Sequence, residues 1–198
     1  MRLKILTWTI KNTRAADMKI EVAGKNDNNE HCFVRMENGT GKTTTLDLLK
    51  MTLSGKGARL SDSEIRELQP SKKDKNSGFC EVVLFYDNKV CSIRMKLDYI
   101  NGSVSYRTSH QDAQGVINDF RPPAELVNYL RPEYVDLFFF NGEEISSLVG
   151  DKSSTNQNAI KGLETVLGFS VFDDINEAMS TYYIRKEEEA EGTVSDQA

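Results

Sequence analysis

Alternating apolar and polar positions divide the first part of the chain into predicted strands. Residues 3–10 alternate and include β-branched and aromatic side chains, which favour extended structure. Met18, Ile20 and Val22 alternate in the same way and predict a second strand. A third strand is predicted over residues 32–36, and it runs directly into a glycine-containing loop.

Beyond that loop, the spacing of the apolar positions changes from two to three and four. Leu46, Leu49 and Leu53 then fall on one face of a helix, and Gly55 is placed to end it in the left-handed conformation. The charged and polar residues 56–78 that follow predict a variable loop with room for one helical turn.

The middle of the chain has the pattern of an antiparallel meander. Strands are predicted at residues 81–86 and 90–97, joined at Asp87 and Asn88. A further strand follows the pair Asn101-Gly102, which favours a two-residue hairpin turn.

The last third of the chain changes from mixed to helical patterns. A short helix is predicted at residues 124–130, and the run at 135–140, apolar apart from Asp136, predicts a strand buried on both faces. A later helix begins at Ser170, with Asp173 in the capping-box position. Its apolar positions form a short heptad seam: Phe172, Ile175, Met179 and Tyr182. Residues 187–198 are acidic and small, and predict a frayed tail.

The composition of the chain argues against several classes of protein. The 198 residues are 38% hydrophobic and 28% charged, which is typical of one globular domain. A net charge of −5 gives no basic footprint for nucleic acid over the whole domain. No apolar run approaches the roughly 20 residues that span a bilayer, and Lys4 interrupts any signal peptide, so we expect a cytoplasmic protein. Three cysteines without close pairing argue against a disulfide framework and against a zinc site.

The loop between the third predicted strand and the first helix has the chemistry of a nucleotide-phosphate site. Gly39 and Gly41 allow backbone N–H groups to crowd around phosphate oxygens without an intervening Cβ. Lys42 supplies the charge for the β- and γ-phosphates, the Thr43 hydroxyl suits Mg²⁺, and Thr44 offers a hydroxyl to the α-phosphate. The helix that follows turns its positive end toward the anion. The predicted ATP-binding residues of this loop are Asn38, Gly39, Thr40, Gly41, Lys42, Thr43 and Thr44.

One position departs from the full phosphate-loop pattern. That pattern begins with a glycine at the position that Met36 occupies, so only its last part is intact. The alternative interpretation is a glycine-rich turn that happens to end in Lys-Thr.

The run from Asn38 to Thr43 resembles the Asn-Gly-x-Gly-Lys-Ser/Thr loop of ABC-type ATPase heads of the SMC, SbcC and RecF kind. Residues 138–145, Phe-Phe-Phe-Asn-Gly-Glu-Glu-Ile, and residues 167–173, Leu-Gly-Phe-Ser-Val-Phe-Asp, are similar to the DndD branch, which is linked to phosphorothioate-modified DNA. The resemblance implies an α/β P-loop NTPase with a mixed sheet, an antiparallel meander and the root of a coiled coil. It implies an N-terminal head lobe at residues 1–169 and the start of the arm at 170–198.

The resemblance also implies roles for residues outside the loop. Asn141 stands where the family has the Q-loop glutamine, which helps to hold Mg²⁺ and the attacking water; Glu143 is the alternative for this position. Arg14 resembles the basic residue after the first strand that approaches the nucleotide. The alternatives are a solvated loop arginine at position 14, a plain turn at 141–144, and a degenerate Walker B strand in which Asn141 replaces the required acid.

Two parts of such a head are missing from this sequence. It has no Leu-Ser-Gly-Gly segment and no apolar strand that ends in Asp-Glu. In the family both lie beyond the coiled coil. We therefore expect a C-terminal lobe in the same native chain or in a separate subunit, a second head that closes over ATP, and DNA as a partner, with no membrane.

Three functions remain open from the sequence. The first is the ATP-Mg²⁺-binding lobe of a DNA-metabolism ATPase, which hydrolyses ATP only when the other lobe completes it. The second is a self-contained P-loop kinase or small NTPase that uses Glu143 or Glu144. The third is an interaction module with a structural loop, in which residues 170–185 form a partner-binding helix.

Overall fold

A computed structural model of the chain describes residues 3–22, 32, 34–72, 74–111, 115–139, 179 and 182. Its strands are β1 (Leu3–Lys11), β2 (Met18–Glu21), β3 (Ser77–Tyr86), β4 (Lys89–Asp98), β5 (Ser103–His110) and β6 (Val116–Ile117). Its helices are α1 (Lys42–Ser54), α2 (Asp62–Glu67), α3 (Ala124–Val127) and α4 (Pro132–Phe138), with a 3₁₀ helix at Lys56–Arg59.

The strands form one six-stranded sheet in the order β2-β1-β3-β4-β5-β6. Every pairing is antiparallel, so the sheet of the described residues is not the mixed sheet that we expected. The predicted strands at residues 3–10, 18–22, 81–86 and 90–97 are confirmed, with small changes at their ends. Strand β3 starts earlier than predicted because residues 77–80 pair with residues 95–98.

One face of the sheet packs against α1. Strict alternation in β3 and β4 sends every second side chain into this core, and α1 adds the buried Leu48, Leu49 and Leu53. The buried face of α1 is rotated slightly from the predicted face of Leu46, Leu49 and Leu53. Leu48 is fully buried, whereas Leu46 is only partly buried. Gly55 ends α1 with φ 73°, as predicted. The predicted loop at 56–78 contains more structure than expected, namely the 3₁₀ helix and α2.

The predicted strand at residues 32–36 does not form in the described part of the chain. Cys32 and residues 34–36 lie in no strand, and Val34 is 45% exposed. In the described sheet β1 lies between β2 and β3, and β2 is the edge strand, so the positions beside residues 7–10 of β1 are taken by other segments. The apolar character of this segment and its place before the loop did not suffice to predict a strand.

The predicted strand at residues 135–140 is also wrong where the structure describes it. Residues 132–138 form the helix α4 instead, and Phe139 alone is extended. Pro132 occupies the first helical turn, where its fixed φ favours a helix. The Tyr134 and Phe138 rings pack at 4.6 Å between centroids, one helical turn apart.

The turns of the meander differ from each other. Asp87 and Asn88 both have positive φ, 43° and 64°, which suits the predicted tight link between β3 and β4. The β4–β5 link has four residues instead of the predicted two, because Asp98 pairs with Ser103. The Asp98 carboxylate accepts hydrogen bonds from the Ile100 and Asn101 backbone N–H groups, and the contacts with Asn101 lower the pKa of Asp98.

Several predictions fall outside the described residues. Among them are Asn141, Glu143, the boundary at 169–170 and the Ser170 cap. Of the predicted seam, Met179 and Tyr182 are described, and both are helical and exposed. The predicted helix at 124–130 is confirmed over its first four residues as α3, and residues 128–130 continue as a turn.

Candidate phosphate-binding loop

The loop before α1 depends on two glycines in the left-handed conformation. Gly39 has φ 80°, and Gly41, at the N-cap of α1, has φ 82°. A Cβ on Gly41 would lie 3.1 Å from the Cα of Ala15, whereas a Cβ on Gly39 would meet nothing within 4 Å. Gly41 is therefore required both by its backbone angle and by close packing, and Gly39 by its angle only.

The segment after β1 packs directly against this loop. The Ala16 N–H donates to the Thr40 carbonyl oxygen over 3.2 Å. The Arg14 Nη2 donates to the Thr44 hydroxyl oxygen over 3.3 Å, and the Arg14 N–H donates to the Leu68 carbonyl oxygen. The structure therefore brings Arg14 to the beginning of α1, although 30 positions of sequence separate Arg14 from Thr44.

Hydrogen bonds within the loop hold its shape. The Thr40 hydroxyl donates to the Glu37 carbonyl oxygen over 2.7 Å, and the Lys42 Nζ donates to the Asn38 Oδ1 over 2.9 Å. The Lys42 ammonium is thus folded back over the loop, although the side chain remains exposed. Thr43 is also exposed, so its hydroxyl is accessible to a ligand.

The beginning of α1 is electropositive. Helix α1 has 13 residues, carries no acidic side chain in its first turn and has no side-chain cap hydrogen bond. Its first N–H groups therefore lack a capping partner and add to the positive end of the helix dipole. Lys42 and Arg14 contribute two cations at the same end. Such an arrangement favours an anionic ligand.

Two predicted parts of the site differ from the expectation. Thr44 is only 6% exposed, and its hydroxyl contacts Arg14 instead of facing solvent. The strand that should lead into the loop is not formed in the described residues, so Gly41 and α1 are positioned by the segment after β1. Asn141 and Glu143 were predicted from sequence to complete the site, and they lie outside the described residues.

A cleft of about 330 Å³ adjoins the site and was not predicted from the sequence. Its walls come from α1, α2, α4 and the segments that flank α2. The lining residues are Arg14, Asp47, Lys50, Met51, Lys56, Leu60, Glu64, Glu67, Leu68 and Asp136. Arg14 is the link between cleft and loop, because it lines the cleft and also contacts Thr44. Half of the residues that line the cleft come from the segment 56–78, which was predicted as a variable loop. The Ser61–Glu64 spacing of a capping box is the sequence signal that could have located the helix α2 there.

Two polar clusters shape the cleft walls. Asp136 of α4 pairs with Lys50 of α1 over 3.1 Å and also with Lys56. Ser61 and Glu64 form a complete capping box at the start of α2. The Ser61 hydroxyl donates to the Glu64 carboxylate over 2.7 Å, and this hydrogen bond lowers the pKa of Glu64.

Among the described residues, no three His, Cys, Asp or Glu side chains cluster as a metal site. No helix in the described part of the chain has the length and apolar character to cross a bilayer. Neither the protein-family models nor the curated proteins compared with this sequence gave a match.

Proposed function

We propose that this chain binds ATP with Mg²⁺ through the loop from Asn38 to Thr44. We further propose that it serves as the N-terminal lobe of an ATPase head of the SMC, SbcC and RecF kind. The observation that carries the proposal is the left-handed Gly41 at the start of α1, followed at once by Lys42 and the exposed Thr43. The convergence of Arg14 on the same helix end supports it, because Arg14 is distant in sequence.

Each part of the loop has a distinct task in this proposal. The N–H groups at the start of α1 contact phosphate oxygens, and the Lys42 ammonium leaves Asn38 to neutralise the β- and γ-phosphates. The Thr43 hydroxyl is the ligand for Mg²⁺, which supplies charge neutralisation between the phosphates when bound. Asn141, or Glu143 in its place, is proposed from sequence alone as the residue that orients Mg²⁺ and water.

We propose the cleft beside Arg14 for the nucleoside part of ATP. Arg14 adjoins Thr44, where the α-phosphate is expected, and it lines this cleft as well. Met51, Leu60 and Leu68 give the cleft apolar surface for a base, which is typical of small-molecule sites.

Hydrolysis in this proposal needs residues from outside this sequence. The sequence has neither the Leu-Ser-Gly-Gly segment nor the acid-ended strand that such heads use. A C-terminal lobe and a second head would supply them, and closure of two heads on ATP would move coiled-coil arms on DNA. The DndD-like branch is the proposed relation within this group.

The test is a titration of this chain with ATP and Mg²⁺. We expect Lys42→Ala to weaken binding by at least about tenfold, or roughly 1.4 kcal/mol, because one charge on the phosphates is lost. Lys72→Ala is the matched control, since Lys72 is also exposed and lies outside the loop and the cleft. Circular dichroism verifies that both variants fold.

Two outcomes would contradict this proposal. Equal ATP affinity in wild type and Lys42→Ala would exclude the proposed role of the loop and favour a structural one. Steady phosphate release by this chain alone would favour the self-contained NTPase instead of a lobe that needs completion.

A further inference from the structure

The face of the sheet opposite α1 is basic, although the chain as a whole is acidic. Strand register places alternate residues of β1 to β5 on this face, which we term the outer face. Its basic side chains are Lys4, Lys11, Lys19, Arg94, Lys96 and Arg107. Its acidic side chains are Glu21, Glu81 and Asp98. The described outer face thus has a surplus of three positive charges, whereas the whole chain has a net charge of −5.

Two arginines lie directly opposite each other on this face. Arg94 of β4 pairs in register with Arg107 of β5. Like charges at directly opposed positions destabilise an antiparallel pair unless another group offsets them. Glu81 is the register partner of Arg94 on the other side and binds it over 2.8 Å. Arg107 is exposed and forms no ion pair with a carboxylate of the described residues.

Arg94 is held in a fixed orientation beside Arg107. Its guanidinium stacks on the Phe79 ring at 4.6 Å from the ring centroid, and Glu81 binds its Nη2. Glu81 is itself positioned by a hydrogen bond from the Ser92 hydroxyl over 3.0 Å. The Arg94 Nε is buried and has no hydrogen-bond partner in the described structure. A buried N–H group without an acceptor is costly, so this group favours an added acceptor.

A cleft of about 230 Å³ is lined by both arginines. Its lining residues are Glu81, Ser92, Arg94, Arg107, Thr108, Ser109 and Val116. The two guanidinium groups and the Ser109 hydroxyl are donors, whereas the Ser92 hydroxyl already donates to Glu81, and the one carboxylate is bound to Arg94 and Ser92. The cleft therefore offers more hydrogen-bond donors than acceptors.

We propose that Arg94 and Arg107 bind a phosphate-class oxyanion in this cleft. A phosphate oxygen matches the planar fork of donors on each guanidinium, and one anion between the two arginines would offset their repulsion. Free phosphate and the phosphodiester of a nucleic acid share this chemistry. The site does not depend on the loop at Asn38 to Thr44, because α1 packs against the opposite face of the sheet.

The first experiment titrates the full chain with inorganic phosphate and follows the Nε–Hε signals of the arginines by NMR. We expect the signals of Arg94 and Arg107 to shift together. Arg107→Gln should weaken the response of Arg94 by about tenfold or more, since one charge-assisted hydrogen bond is lost. Lys19→Gln is the matched control, because it removes one positive charge from the same outer face. Lys19 lies on β2, four strands or roughly 19 Å from the strand of Arg107, so this variant should change the response of Arg94 to phosphate less than about twofold.

The second experiment measures binding of a single-stranded oligonucleotide by fluorescence anisotropy at several salt concentrations. If the phosphates of a nucleic acid are the source, Arg107→Gln should weaken binding and reduce the slope of log K against log salt by about 0.7. Lys72→Ala removes an exposed positive charge that lies in no strand of the sheet, so it should bind the oligonucleotide as wild type does.

The outcomes of the two experiments either identify which phosphate compound binds this cleft or overturn the proposal. A response to inorganic phosphate that Arg107→Gln removes supports the site with free phosphate as its ligand. A response to the oligonucleotide alone, lost in Arg107→Gln, supports it with the phosphodiester as its ligand. Binding of neither probe, equal binding by Arg107→Gln, or equal loss of binding in Lys72→Ala and Arg107→Gln would overturn the proposal.

Discussion

At the scale of single residues, Gly39 and Gly41 show that one residue type serves two purposes in the same loop. Both have left-handed backbone angles near 80°. Only Gly41 also lies against the segment that carries Arg14, with its absent Cβ 3.1 Å from the Ala15 Cα. The conformation of the loop and its contact with Arg14 are therefore separable by substitution.

We expect Gly39→Ala to destabilise the protein by about 1 kcal/mol, the cost of a left-handed Cβ-bearing residue. Gly41→Ala should cost about 1 kcal/mol more, because the new methyl group also crowds Ala15. Urea unfolding of the two variants measures this difference, with Gly39→Ala as the matched control. Equal destabilisation by the two substitutions would show that the contact with Ala15 is not tight.

At the scale of elements, the approach of the segment after β1 to strand β3 positions Arg14. Gly78 of β3 lies beneath this segment, and a Cβ there would be 2.3 Å from the Asn12 carbonyl oxygen and 2.4 Å from the Tyr99 hydroxyl. The Tyr99 hydroxyl donates to the carbonyl oxygens of Asn12 and Leu68. Tyr99 thus ties the β4–β5 turn to the segment that supports the candidate site.

Gly78→Ala should destabilise the protein by about 1 to 3 kcal/mol, because the methyl group has no space. It should also weaken ATP binding, since the displaced segment carries Arg14 away from Thr44. Urea unfolding and ATP titration are the measurements, and Ser77→Ala in the same strand is the control. Wild-type stability in Gly78→Ala would mean that the segment moves aside freely.

At the scale of the whole molecule, the core contains weak acids that are buried in neutral form. Burial raises the pKa of the Cys80 thiol to about 11 and that of the Cys91 thiol to about 12. Burial likewise raises the pKa values of Tyr99 and Tyr106. Each group ionises more readily in the unfolded chain, so folding stability falls as pH rises above the unfolded pKa values.

We expect the free energy of unfolding to be unaffected by these groups below about pH 8 and to decline between pH 9 and 11. The Cys80 shift alone corresponds to a loss on the order of 3 kcal/mol. Urea unfolding at several pH values measures the decline, and Cys80→Ala should make it shallower. Constant stability from pH 8 to 11 would contradict the burial of these groups.

The sequence by itself determined the elements whose signal is local. Period-two alternation located β1, β3 and β4, period three to four located α1, and the run from Asn38 to Thr44 located the candidate loop. These patterns succeed because the strand and helix periods depend on neighbouring residues alone.

Only the tertiary structure decided which segments meet. Residues 32–36 are mostly apolar and precede the loop like a strand, yet in the described part of this segment no residue pairs with the sheet. Val135, Leu137 and Phe138 are apolar as in a buried strand, yet Pro132 and the contacts of Asp136 with Lys50 and Lys56 support a helix. Arg14 beside Thr44, and Arg94 opposite Arg107, depend on chain pairing over long separations, which composition and spacing do not encode.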